Sequence, residues 1–236
     1  MRMRLPEPLG GLLGELEPGA ITNLYGQPGT GKTNLCILAA LDCIRGGGKV
    51  LFIDTEGGLS KERALQISNS PDMLKSVILL EPRTLKEQEL AVRKAEQSDA
   101  RLIILDSAVA LYRIEHAELA EGIQERDRKN RMDTLLGASR SLSRQMSVLS
   151  KIAKDRNIPV LITAHAFRNW DSGELEVVGG DAIRYWSKTM VHLEKTGKTS
   201  ERRATIVKHR AREENNSVKF LLVNEGIKPS KGFGLF

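Results

Sequence analysis

The sequence predicts an α/β fold with a mainly parallel central sheet flanked by helices and antiparallel strands added at the C-terminal edge. Three observations carry that expectation. Gly26-Gln27-Pro28-Gly29-Thr30-Gly31-Lys32-Thr33 satisfies every fixed position of the phosphate-cradling P-loop, a turn that leaves a buried strand and enters a helix. Short apolar runs recur between helical stretches, as Val50-Leu51-Phe52-Ile53, Val77-Ile78-Leu79-Leu80, Leu102-Ile103-Ile104-Leu105 and Val160-Leu161-Ile162, and these read as strands buried on both faces. After Asp181 the pattern shifts to shorter alternating runs at 189–193, 204–207 and 218–223, which suggest strands at one edge of the same sheet.

Each element follows from its residues. Pro18-Gly19 is a turn signal, and 20–25 reads as the strand feeding the P-loop. Residues 32–44 continue as a helix in which Leu35, Ile37, Leu38, Ala39, Leu41 and Ile44 recur without Gly or Pro, until Gly46-Gly47-Gly48 stops it. Cys36 and Cys43 lie on roughly the same face of that helix, too far apart along its axis to be bridged, so both read as buried thiols. Thr84 with Glu87 is a capping-box signature for the next helix. A long helix runs to about residue 157, with Leu135, Leu142, Met146, Leu149 and Ile152 on one face.

A chain of 236 residues accommodates one large α/β domain, and 1–236 is expected to be a single unit. No apolar run has membrane-spanning length, and Met1-Arg2-Met3-Arg4-Leu5-Pro6 lacks the apolar core of a secretory signal. A cytoplasmic protein with no membrane partner is therefore expected. The net charge of +6 is matched by one segment, where Lys195, Lys198, Arg202, Arg203, Lys208, Arg210 and Arg212 stand against Glu201 alone. Such a cluster suits a polyanion, with a solvated charged face as the alternative.

The P-loop supplies the first chemistry. Glycines let successive amides point at phosphate oxygens, Lys32 adds a mobile positive charge, and Thr33 offers a hydroxyl to Mg²⁺. The ligand expected from these residues is a nucleoside triphosphate. Leu102 to Leu105 end in Asp106, an acid placed to hold the metal shell opposite Thr33. The strand at 50–53 runs into Asp54-Thr55-Glu56-Gly57-Gly58, and a carboxylate there can orient and deprotonate an attacking water, which makes Glu56 the candidate general base. An ordinary strand-to-helix loop accounts for the same spacing.

The joint occurrence of GQPGTGKT, FIDTEGGLSKER, LIILDS followed by ALYR, LSRQMSVLSKIAKDRNIPVLIT and a glycine pair before VHLEK, in that order, resembles the RecA family of recombinases over nearly the whole chain. The resemblance implies a RecA-like P-loop NTPase core that binds ATP and Mg²⁺. Gly26, Gln27, Pro28, Gly29, Thr30, Gly31, Lys32, Thr33 and Asn34 would line the nucleotide, Thr33 and Asp106 would serve the metal, and Glu56 would activate water. Arg63 would lie against the adenine face, where a planar guanidinium stacks well. His165 stands where family members usually carry a polar sensor of the γ-phosphate, most often Gln, and it joins Lys32 and Glu56 as a catalytic candidate.

The P-loop begins at Gly26, so the N-terminal helical domain and aromatic linker of full recombinases are not expected in this chain. Where those close the ATP site with a Pro-bearing cap, this chain reads Lys208-His209-Arg210. A bare core with that basic triplet is most similar to the archaeal RadB paralogues. The subgroup implies a weak DNA-associated ATPase of recombination and repair, assisting the main recombinase. Its implied partners are single-stranded and branched DNA, the recombinase itself and a Holliday-junction resolvase, with a homodimer as the assembly open to it and the nucleoid as its place in the cytoplasm. The competing expectation is a RecA-like motor or clock-type ATPase acting on a protein partner without DNA.

Phe167, Arg168 and Trp170 sit together just beyond the sensor position, and rings beside a cation make a stacking platform for unpaired bases; covering the sheet edge is the plainer role. If the strand beginning near residue 204 persists, Ile206, Lys208 and Arg210 share one face and Val207 and His209 the other, so that Lys208 and Arg210 track phosphates together.

Overall fold

The computed structural model describes residues 2–68, 75–121, 128–168 and 175–230. In chain order the elements are α1 (Leu9–Leu13), β1 (Ile21–Gly26), α2 (Lys32–Arg45), β2 (Val50–Asp54), α3 (Lys61–Ser68), β3 (Val77–Leu80), α4 (Leu85–Lys94), β4 (Leu102–Asp106), α5 (Ala110–Glu121), α6 (Arg128–Arg156), β5 (Val160–Arg168), β6 (Leu175–Val177), α7 (Gly180–Trp186), β7 (Ser187–Lys195), β8 (Glu201–Lys208), β9 (Ser217–Val223) and β10 (Gly226–Pro229). The sheet runs β10-β9-β8-β7-β1-β5-β4-β2-β3, with β6 paired to β5. From β7 to β3 the strands are parallel, and β8, β9 and β10 are antiparallel additions.

This is the expected architecture, with two corrections. The run at 189–193 lies in β7, which pairs parallel with β1, so the antiparallel edge begins only at β8. The crossover through α7 returns the chain to the same end of the sheet, a connection that short alternating runs do not announce. The run at 77–80 forms β3, the outermost strand, and it is not buried on both faces: Ile78 and Leu79 are 38% and 40% exposed. An apolar run does not say whether its strand is central or terminal.

The central strands β1, β2 and β4 are buried along their whole length. On one face, Leu24, Phe52 and Ile104 pack against Leu35, Ile37 and Leu38 of α2 and against α1. On the other, Ile21, Ile53, Leu105 and Ile162 meet Leu142, Met146, Leu149 and Ile152 of α6, the helical stripe expected from the sequence; the side chain of Leu135 lies outside the described residues. Cys36 and Cys43 are free and buried, with burial pushing Cys43 up to about 11. Thr84 caps α4 by accepting from Glu87 N at 3.1 Å, while Glu87 Oε2 accepts from the amide of Arg83 at 2.8 Å. Among the described residues no helix is long and apolar enough to cross a membrane.

Because β1, β2, β4, β5 and β7 run the same way, Gly26, Asp54, Asp106, His165 and Lys195 arrive at one end of the sheet. In open α/β sheets that carboxyl end is where ligands bind. β8 runs back, so Glu201 and Arg202 are at the same end and Lys208 is at the opposite one.

Candidate functional site

The chain turns from β1 through the P-loop into α2. Gly29 and Gly31 adopt φ of 75° and 96°, the left-handed region glycine enters without steric cost. A Cβ on Gly31 would lie 2.8 Å from Leu222 Cδ2, so β9 presses close to the turn. Thr30 is buried and donates from Oγ1 to Gln27 O at 2.8 Å. The buried Lys32 donates from Nζ to Gly26 O at 3.0 Å and Gln27 O at 3.2 Å. Burial lowers its pKa, and the carboxylates of Glu56 and Asp106 oppose that shift. No side chain caps the start of α2 and no acid stands in its first turn. Its leading amides, with the helix dipole behind them, therefore suit an anion that no side chain of its cap or first turn supplies.

Two strand-end carboxylates stand beside this cradle. Asp106 is 2% exposed and accepts from Thr163 Oγ1 at 2.5 Å, with the Thr33 hydroxyl near enough to favour its ionised form. Burial raises its pKa despite those hydroxyls, and a divalent cation next to it would favour the ionised form. Asp54, in register with Asp106, accepts from the amides of Glu56, Gly58 and Leu59 at 3.1, 3.2 and 2.8 Å. That carboxylate folds the loop that presents Glu56, a role the sequence reading did not assign to it. Among the described residues no group of three or more His, Cys, Asp or Glu forms a metal cage; one hydroxyl and one carboxylate, completed by phosphate oxygens and water, is how proteins commonly hold Mg²⁺.

Glu56 and His165 meet at the end of β5, Oε1 to Nε2 at 2.5 Å. The hydrogen bond from His165 is the main influence holding the Glu56 carboxyl below its ordinary value, against a smaller upward push from burial. His165 Nδ1 is buried without a partner among the described residues. The pair separates two clefts and lines both. The smaller, about 260 Å³, lies at the P-loop, with Lys32, Thr33, Asn34 and Leu222. The larger, about 1100 Å³, opens between α5 and the β5–β6 hairpin, with Arg113, Ile114 and Phe167 on its walls and Pro28 at its edge.

Arg63 reaches from α3 to the start of α2 and the turn after β9. Its Nε donates to Asn34 Oδ1 at 3.0 Å, and Nη1 and Nη2 donate to the carbonyls of Asn224 and Val223 at 3.1 and 3.3 Å. The guanidinium is thereby fixed edge-on, leaving its faces for stacking. Two cations missed in the sequence reading also touch the P-loop. Arg202 Nε donates to Gly29 O at 3.0 Å, and Lys195, its register partner on β7, brings Nζ within 3.1 Å of a Cβ placed on Gly29. Only their membership of the basic cluster hinted at a shared role.

The DNA candidates are not brought together. Phe167, 45% exposed, lies at the P-loop end of the sheet beside His165; the side chain of Arg168, and Trp170 entirely, lie outside the described residues. Lys208-His209-Arg210 lies at the other end of the sheet from the P-loop. The turn after β9, not this triplet, flanks Arg63. Nor do Ile206, Lys208 and Arg210 share a face. Val191 pairs with Ile206 but Met190 pairs with Lys208, so an inserted residue turns Lys208 toward α7, where its Nζ donates to Arg184 O at 2.8 Å. β8 ends at Lys208, and Arg210 beyond it pairs with Glu17 at 2.5 Å, while His209 Nδ1 accepts from the amide of Ala211.

Comparison with known proteins matches the architecture just described. The family model described as Rad51 matches residues 9–230. A protein of Methanococcoides burtonii described as DNA repair and recombination protein RadB is 38% identical over 94% of this chain and 95% of the relative. Proteins of the same description from Methanococcus maripaludis and Methanocaldococcus jannaschii are 40% and 39% identical, each over 92% of this chain and over 95% and 96% of the relative. A solved structure described as the RadB recombinase superposes with a TM-score of 0.76 at 30% identity, covering 95% of this chain and 97% of that one. With its P-loop, paired strand-end acids and C-terminal antiparallel strands, this chain belongs to the Rad51 family and, within it, to the group of proteins named RadB.

Proposed function

We propose that this chain is an ATP-binding, weakly ATP-hydrolysing, DNA-binding protein of homologous recombination and DNA repair. It acts beside the main RecA-family recombinase and in the processing of branched DNA. The observation that carries the proposal is the Glu56–His165 hydrogen bond, because it links the phosphate pocket to the hairpin that bears Phe167.

The site's residues fit Mg·ATP. The uncapped start of α2 and the left-handed glycines suit the phosphates, and Lys32 needs only to leave two backbone carbonyls to reach them. Thr33 and Asp106 would hold Mg²⁺, which supplies neutralisation of phosphate charge. Arg63 would take the adenine face. Glu56 would orient the water, but its carboxylate is engaged by His165, so activation requires that bond to yield, and slow turnover follows. Movement of His165 toward a γ-phosphate would in turn reach β5 and its hairpin. Phe167, Arg168 and Trp170 would then meet unpaired bases, with Lys208, His209 and Arg210 as phosphate contacts at the other end of the molecule. A single ATPase unit spanning 1–236, a cytoplasmic and nucleoid-associated location, a homodimer and a resolvase partner complete the proposal. The names of the relatives support the recombination and repair setting.

The test is ATP turnover together with anisotropy of a labelled single-stranded oligonucleotide, with and without Mg·ATP, at low and moderate salt. Nucleotide-sensitive binding that weakens with salt is expected. Turnover with no DNA binding at low salt would favour a protein-directed ATPase instead.

A further inference from the structure

The DNA candidates read from the sequence leave an aromatic and cationic patch on the opposite end of the sheet unused. Tyr185, at the end of α7, is 69% exposed, more than any other large apolar side chain among the described residues. Its ring stands edge-on to Trp186, centroids 5.0 Å apart at 89°. Lys188 Nζ lies 5.8 Å from the Tyr185 ring centroid. A cavity of about 580 Å³ opens here between α7 and α6, lined by Arg184, Tyr185, Trp186 and Ser143, with Asp181 as its acidic member.

The charges are as informative as the rings. The β-bulge that turns Lys208 toward α7 sets its ammonium on Arg184 O, close enough to Lys188 for the two to repel. Among the described residues, none of Arg184, Lys188 and Lys208 forms an ion pair with an acid, although basic side chains elsewhere, such as Arg203 and Arg210, do. Like charges held together without a counterion are stabilised by an external anion. An aromatic pair beside these cations, with Lys188 Nζ 5.8 Å from the Tyr185 centroid, adds a surface for flat, apolar rings.

We infer that Tyr185 and Trp186, with Lys188 and Lys208, form a stacking site for single-stranded nucleic acid on the face of the molecule opposite the nucleotide. Bases lie against the exposed Tyr185 and its partner ring, and the paired lysines take the adjoining phosphates. The inference rests on the proposed DNA-binding role and gives Lys208 a partner surface that the basic triplet alone lacks. A duplex keeps its bases stacked inside and so gains only the phosphate contacts here.

The experiment uses the full chain and fluorescein-labelled oligo(dT), read by anisotropy across a salt series, with Tyr185→Ala, Tyr185→Phe, Trp186→Phe and Lys188→Gln. Tyr185→Ala is expected to weaken oligo(dT) binding about tenfold, the effect of losing one stacked base, with Tyr185→Phe near wild type and duplex affinity little changed. Lys188→Gln is expected to reduce the slope of log affinity against log salt by about 0.7, one phosphate on a single strand. Oligo(dT) is expected to quench tryptophan emission less in Trp186→Phe than in wild type. Wild-type oligo(dT) binding left unaltered by Tyr185→Ala would overturn this site while leaving the DNA-binding proposal intact; absence of any binding by wild type at low salt would overturn both. A homodimer dissociated by Tyr185→Ala at unchanged oligo(dT) affinity would assign the patch to a second copy and overturn the inference.

Discussion

His165 Nε2 and Glu56 Oε1 are 2.5 Å apart although 109 residues separate them in sequence. The end of β5 therefore grips the carboxylate that the loop after β2 presents to the cavity at the P-loop. Asp54 fixes that loop through three backbone amides, so Glu56 is held from both sides.

Removing the imidazole should release the carboxyl. In His165→Ala the titration of Glu56 is expected to move up toward the unperturbed value of about 4.3, followed by carbon-detected NMR; an unmoved titration would contradict the assigned cause. A depressed folded-state pKa stabilises the fold above the unfolded carboxylate value, and that contribution is lost as pH falls through the lower folded value. The thermal midpoints of wild type and His165→Ala should accordingly converge in acid.

Glu56→Gln keeps the shape and loses the base. Turnover is expected to fall by about a hundredfold or more, with Mg·ATP affinity within about threefold of wild type. A variant that hydrolyses ATP as fast as wild type would remove Glu56 from the chemistry.

Asp106 is nearly fully buried beside Asp54 and Glu56, and burial raises its pKa. Ionised Asp106 thus costs stability in the nucleotide-free fold, a cost fully present above its raised folded value and relieved as pH falls through that value toward the lower unfolded one. Asp106→Asn is expected to raise the midpoint of the nucleotide-free protein, by about 1 kcal/mol of stability, and to abolish the extra stabilisation that Mg²⁺ gives to ATP binding. Calorimetric scans with ATP, with and without Mg²⁺, check both halves.

Gly31 is constrained by backbone more than by space. Alanine there must hold φ near 96°, about 1–2 kcal/mol for a residue with a Cβ, whereas Leu222 Cδ2 is the movable end of a side chain. Gly31→Ala should lower both midpoint and ATP affinity, and adding Leu222→Ala should not restore them. Full rescue by the second change would place the fault in the clash.

Apolar residues of α6 and of β3 differ in consequence. Leu149→Ala, in the fully buried face of α6, is expected to cost about 2–5 kcal/mol. Ile78→Ala, on the outermost strand and 38% exposed, should cost about 1 kcal/mol or less. Urea denaturation at equilibrium separates the two.

What could be read from sequence is what depends on neighbours along the chain. The P-loop, the strand ending in Asp106, the loop carrying Glu56 and the α6 stripe each follow from local spacing, and each lies in the expected element. What was hidden depends on pairing between distant segments. Arg202 reaches Gly29 from 173 residues away, and one inserted residue in β8 reverses the face of Lys208. The parallel placement of β7 depends on the short crossover helix α7, and the exposure of β3 on having a neighbour at one side only. Tyr185 and Trp186 stood in plain view beside two basic residues, but only the fold shows Lys208 arriving next to them.

On the proposed function, the turn from β1 into α2 grips the phosphates of Mg·ATP. Isothermal titration calorimetry of folded wild type and Lys32→Ala with Mg·ATP tests it most directly. One site per chain is expected for wild type, with binding weakened at least tenfold in the variant; no heat of binding to folded wild type, or equal affinity in both proteins, would contradict it.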